Sequence, residues 1–217
     1  MDVHIGYGYI PPNATAEQVG ELRAQVAEGL LSFVNFNKEP HSLLQSVAGR
    51  YILQKMLVIN SINIDNISLS STNYKKPIIL NSYYKFNISH SGDLVVCALS
   101  KEREVGIDVE LVKQIAVSDF RMQFSAAEYA ELAVGGDLKK FYRIWTAKEA
   151  ISKAMGSGLY LEFNKIEREK GSIFQVEQER WVAEEILIDP GYVCTVALNE
   201  SFDQKYLHQF NIELKQA

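Results

Sequence analysis

Two stretches of the chain echo each other. GDLVVCALS at 92–100 and PGYVCTVALN at 190–199 each set a turn before an apolar strand that carries a cysteine. Helical patterns precede them, in HSLLQSVAGRYILQKMLV and in FYRIWTAKEAISKAM. Helix followed by antiparallel strands, done twice, predicts an α+β fold. It would be a pseudo-dimer of two similar halves, each a small antiparallel sheet packed against a long helix, with the break placed between residues 1–102 and 103–217. With 217 residues, 47% of them hydrophobic, the chain can bury one large core or two small ones. No low-complexity linker separates the halves, so they must pack closely.

Residues 1–10 read as a first strand. The prolines before Thr15 and the periodicity after it predict a capped helix through PPNATAEQVGELRAQVAEGL. INIDNISLSST alternates as a strand, and Pro77 in KKPIIL marks an edge or strand start. YKFNISHSGDLVVCALS reads as strand, turn, strand, with Ser91, Gly92 and Asp93 supplying the turn. EVGIDVELV is another strand, FSAAEYAEL a short helix, and further strands are expected around Ile173–Val176, Trp181–Ile188 and Tyr192–Leu198.

One residue breaks the pattern of the long helix. Phe141, Ile144, Trp145, Ile151 and Met155 form an apolar stripe, and Lys148 projects near its centre. A lysine there either snorkels its head to water or, with Glu149 and Lys153 on the stripe's edge, meets an anionic ligand.

In GIDVE, alternation sends Asp108 and Glu110 to one face of a strand and Ile107 and Val109 to the other. Two neighbouring carboxylates repel unless a cation lies between them, and oxygen donors suit a hard divalent ion; a solvated strand edge is the plainer reading. FNISHS places Ser89, His90 and Ser91 where they could hydrogen-bond a phosphate or serve the fold alone. Arg50, Lys75, Lys76, Lys38 and His41 are scattered candidates for phosphate contacts. No GxSxG elbow and no GxxxxGK[ST] loop occurs, so a serine-hydrolase triad and a P-loop kinase lack support.

In order, GR, KP, FNISHS, GIDVE, FSAAE and WTAKEAISK resemble the 4′-phosphopantetheinyl transferases of the Sfp type, over roughly Lys38 to Leu159. The resemblance implies transfer of the phosphopantetheine arm of coenzyme A to a serine of an apo acyl or peptidyl carrier protein, with release of 3′,5′-ADP. It implies metal binding by Asp108, Glu110 and Glu149, with magnesium expected and manganese the alternative. Glu149 would also be the base, directly or through water, and Asp108 and Lys153 would share the catalytic work. Lys153 would contact the phosphate under attack. Arg50, Lys76, Ser89, His90 and Lys148 would join it in holding coenzyme A, the first half gripping its phosphates and the second carrying the acids and the catalytic helix. Two positions depart from the family pattern. Lys75 replaces the glycine of G-K-P, and His41 stands where an arginine is usual, a weaker and pH-dependent phosphate ligand.

Composition agrees. The net charge is −5 and the pI near 5.5, so no basic field points to nucleic acid. No signal-like or membrane-length apolar run occurs, and Cys97 and Cys194 sit in strands without a CxxC knuckle. A cytoplasmic monomer that binds neither nucleic acid nor membrane is expected. Ile115–Gly136, with Met122, Phe124 and Leu132, is the expected carrier dock, core packing being the other reading of those three. A divalent-metal phosphohydrolase and a non-catalytic binder of coenzyme A or carriers are the competing function classes.

Overall fold

The computed structural model describes residues 2–72, 76–133, 137–156, 161–199, 201 and 203–214. The elements are β1 (Asp2–Tyr9), α1 (Ala16–Arg23), α2 (Pro40–Ile59), β2 (Leu69–Ser71), β3 (Pro77–Ile79), β4 (Tyr84–Ser91), β5 (Leu94–Lys101), β6 (Val105–Leu111), α3 (Ala126–Ala133), α4 (Leu138–Met155), β7 (Ile166–Lys170), β8 (Ile173–Val176), β9 (Glu179–Glu185), β10 (Tyr192–Leu198) and β11 (Gln204–Gln209). One sheet runs β11-β1-β5-β4, a second runs β6-β10-β9-β8-β7, and β2 pairs with β3.

The α+β class and the two helix-on-sheet halves are as expected. The two sheets pack face to face. Val3, Ile5, Leu94, Val96 and Ala98 of the first meet Val105, Ile107, Val109, Cys194 and Val196 of the second. The alternate residues Val95, Cys97 and Leu99 face α1 and α2, while Ala147, Ala150, Ile151 and Ala154 of α4 pack on Phe174, Trp181 and Ala197. The order of layers is therefore helices, sheet, sheet, helix. Period-2 alternation lets β5 and the inner strands of both sheets bury two faces. Both cysteines are free and buried, and burial pushes each thiol up.

Local chemistry explains the element ends. Thr15 Oγ1 accepts from Gln18 N at 3.2 Å and the Gln18 side chain accepts from Thr15 N at 3.1 Å, a capping box for α1. Asp137 caps α4, and Gly156 stops it in the left-handed region with φ 71°. Gly92, φ 53°, turns the β4–β5 hairpin.

Three expectations change. INIDNISLSST forms a strand only at its end, Leu69–Ser71. The helix after Thr15 closes at Arg23 and resumes only as a single 3-10 turn, Glu28–Leu30. Strand β11, unforeseen in the tail, crosses back to pair in parallel with β1, so the second half of the chain completes the first sheet. Among the described residues no helix is long and apolar enough to cross a membrane.

Candidate active site

Strand β4 ends the first sheet and β6 ends the second, and the two edges are joined by side chains. Asn87, Ser89 and Ser91, two residues apart, point from β4 toward β6. Ile107 N donates to Asn87 Oδ1 at 2.9 Å, and Leu111 N donates to Ser91 Oγ at 3.1 Å. Edge N–H groups that would otherwise lack partners are satisfied this way. The same serines hold the acids. Ser89 Oγ donates to Asp108 Oδ1 at 2.9 Å and Ser91 Oγ to Glu110 Oε2 at 2.8 Å.

Helix α4 brings the remaining groups. It lies so close to β6 that a Cβ at Gly106 would sit 1.9 Å from Ala150 O and 2.6 Å from Ala154 N. The glycine of GIDVE thus seats the helix beside the acids of the same motif. From that seat Lys153 Nζ lies 2.5 Å from Asp108 Oδ1 and donates to Ser89 Oγ at 3.0 Å. Burial raises the Glu149 carboxyl above the ordinary carboxylate value; Lys153 opposes this, and Asp108 and Glu110 reinforce it. Burial raises Glu110 as well; Ser91 opposes this, and the Asp108 charge adds to it. Asp108 is 3% exposed, and its Oδ2 is buried with no hydrogen-bond partner.

A divalent cation fits the chemistry of this cluster. Its donors are three carboxylates, burial and then their mutual repulsion raise two of them, and one buried oxygen is unpartnered. Among the described residues no three such side chains are gathered closely enough to grip an ion as they stand. Lys153 is the counter-charge against Asp108.

Beside the cluster is a cleft of about 220 Å³, lined by Phe33, Lys38, Ser46, Arg50, Phe86 and His90 among others. Arg50 is 8% exposed, its guanidinium lies 5.6 Å over the Phe86 ring, and its Nε has no partner. A buried guanidinium with unused donors calls for an anion. His90 is exposed at the rim, yet partial desolvation, then Lys153, Lys38 and His41, hold its imidazole below its ordinary value. The walls from Phe33 to Asn35 and at Ser46 were not foreseen, because they come from a loop and a helix face with no motif of their own.

Two lysines expected on coenzyme A phosphates are internal instead. Lys148 is fully buried. It donates to Phe163 O at 2.7 Å and Ile166 O at 2.8 Å, and pairs with Glu128 Oε2 at 2.8 Å. Its three protons are used, so it neither snorkels nor reaches a ligand. Lys76 is 8% exposed and donates to Glu104 Oε2 and Ala154 O, both at 2.7 Å, and to Val105 O at 3.3 Å. His41, the expected stand-in for an arginine, pairs with Asp93 Oδ1 at 3.0 Å. Lys75 lies outside the described residues.

The expected carrier dock divides. Phe124 and Leu132, 2% and 7% exposed, pack with Phe141 and Ile144, while Met122 is 75% exposed. Residues 134–136 of that segment lie outside the described residues.

Comparison with known proteins agrees with this geometry. The profile of the 4′-phosphopantetheinyl transferase superfamily matches residues 104–197, and that of the 4′-phosphopantetheinyl transferase N-terminal region matches 28–102. The 4′-phosphopantetheinyl transferase gsp of Aneurinibacillus migulanus is 29% identical over 90% of this chain and 80% of its own length. The 4′-phosphopantetheinyl transferase HetI of Nostoc is 30% identical over 69% of this chain and 68% of its own. The L-aminoadipate-semialdehyde dehydrogenase-phosphopantetheinyl transferase of Xenopus laevis is 30% identical over 71% of this chain and 62% of its own. The chain belongs to the 4′-phosphopantetheinyl transferase superfamily and is an enzyme of that class.

Proposed function

We propose that the chain transfers the 4′-phosphopantetheine group of coenzyme A to a serine hydroxyl of an apo carrier protein, releasing 3′,5′-ADP, with a divalent cation, magnesium in the first place. The observation that carries this reading is the Ser89–Asp108–Lys153 cluster at the seam, beside a cleft lined by Arg50, Lys38 and His90.

In this reading the cleft takes the anionic nucleotide end of coenzyme A. Arg50 and Lys38 offset its phosphate charge, and His90 gains a proton as an anion enters. The diphosphate then lies toward Lys153, whose ammonium steadies charge on the transferring phosphoryl group. Asp108, Glu110 and Glu149 would hold the cation, which supplies charge neutralisation of the diphosphate. A serine hydroxyl is a weak nucleophile near neutral pH and needs a base. Glu149, on the helix beside Lys153 and raised above an ordinary carboxylate as Glu110 also is, would accept that proton, directly or through water. The bond from phosphorus to the serine oxygen forms as the bond to the 3′,5′-ADP oxygen breaks.

We assign ligand grip mainly to residues 1–102 and the acids and catalytic helix to residues 103–217. The exposed Met122 remains the candidate contact of the dock for a carrier. The test is incubation of an apo carrier with coenzyme A, magnesium and the protein, followed by mass spectrometry. One added phosphopantetheine group is expected on a single serine. Cleavage of coenzyme A with no carrier present would favour a phosphohydrolase instead.

A further inference from the structure

We propose that Lys76 is a positioning residue, a staple from the first half of the chain that holds the last turn of α4 and so sets Lys153 against Ser89 and Asp108. This rests on the transferase reading for its catalytic meaning. The last four carbonyls of a helix lack partners within it, and the C-terminal end favours a cation. Ala154 O is one of these carbonyls, and Lys76 Nζ fills it at 2.7 Å. Ala154 directly follows Lys153, so the staple grips the helix beside the side chain it positions.

The other two protons of Lys76 go to Glu104 Oε2 and Val105 O, at the start of the strand that carries Asp108. One ammonium therefore ties the end of α4 to the start of β6. Its own backbone is fixed too. Lys76 N donates to Thr72 Oγ1 at 3.2 Å, and Thr72 N donates to Lys76 O at 2.9 Å. The stem passes Gly156, where a Cβ would stand 3.3 Å from Lys76 Cδ. With three acceptors around it and 8% exposure, Lys76 could take a phosphate only by releasing the helix.

The experiment compares wild type, Lys76→Met and Glu104→Gln by amide hydrogen exchange across α4 and by steady-state transfer kinetics. Lys76→Met is expected to speed exchange at Ala154–Gly156 while Phe141–Ile151 stays protected. It is expected to lower kcat about 10- to 100-fold with KM for coenzyme A within about twofold, since the lost element is geometry and not a ligand contact. Glu104→Gln should move both readouts the same way by less, and it carries the test if Lys76→Met does not fold. A rise in KM for coenzyme A at constant kcat would make Lys76 a ligand contact and overturn the assignment. Unchanged exchange at the helix end would overturn it as well. If wild type transfers nothing, the transferase reading fails, while the exchange data still decide the staple.

Discussion

Lys148 and Glu128 form an ion pair at 2.8 Å with side chains 0% and 5% exposed, in the middle of the helix that carries Glu149 and Lys153. The same Glu128 Oε2 accepts from Ser125 N at 2.9 Å, so the FSAAE and WTAKEA segments are locked through one carboxylate oxygen.

Removing one partner of such a pair strands the other charge. Lys148→Met is expected to cost about 3–5 kcal/mol, measured by urea denaturation. Adding Glu128→Leu to it should recover the part of that loss due to the stranded charge and no more, because the Phe163 and Ile166 carbonyls and the Ser125 N–H still lose their partners. A single substitution with no loss would contradict the buried-pair account.

Removing a carboxylate from the seam should trade stability against activity. Glu149 and Glu110 have raised folded values, so each favours the fold below about 4.5, the ordinary carboxylate value, and loses that contribution as pH rises through its folded value. Once both are ionised the penalty is fully present. Glu149→Gln should therefore melt higher than wild type without divalent cation, and magnesium should raise only wild type appreciably. Transfer should fall by about 10²-fold or more. Melting curves with and without magnesium check the first part and single-turnover rates the second.

In the proposed reading Arg50 is the principal anion contact of the cleft. Arg50→Met should raise KM for coenzyme A about 10- to 100-fold, the worth of a charged hydrogen bond, and change kcat little. Steady-state kinetics over a coenzyme A series decide it, and a fall in kcat alone would remove Arg50 from the ligand.

His90 predicts a proton linkage. Its imidazole is below the ordinary value in the free protein, by burial and then by Lys153, Lys38 and His41, and an anion in the cleft raises it. Coenzyme A should therefore bind with proton uptake, more tightly as pH falls toward the ordinary histidine value of about 6.5. Calorimetry in buffers of different ionisation enthalpy measures the uptake, which should vanish in His90→Asn.

Patterns carried by single elements were legible in the sequence. Gly156 ends α4, Thr15 caps α1, and alternation in GIDVE sets Asp108 and Glu110 apart from Ile107 and Val109 because strand geometry alone decides it. What depended on a distant partner was not. Lys148 and Lys76 look like ligand contacts until the fold supplies Glu128 and Glu104, far away in sequence. The pairing of β11 with β1 joins the two ends of the chain, and no local pattern encodes a parallel partner some 200 positions away. Phe124 and Leu132 could pack or dock from their sequence alone, and only the aromatic cluster around Phe141 decided for packing.

The most direct test is a crystal structure with coenzyme A and magnesium bound. The account predicts Asp108, Glu110 and Glu149 drawn around one ion that also meets the diphosphate, with Lys153 turned from Asp108 to a phosphate oxygen. Acids that point apart, with Lys153 still on Asp108 while the nucleotide is bound, would contradict it.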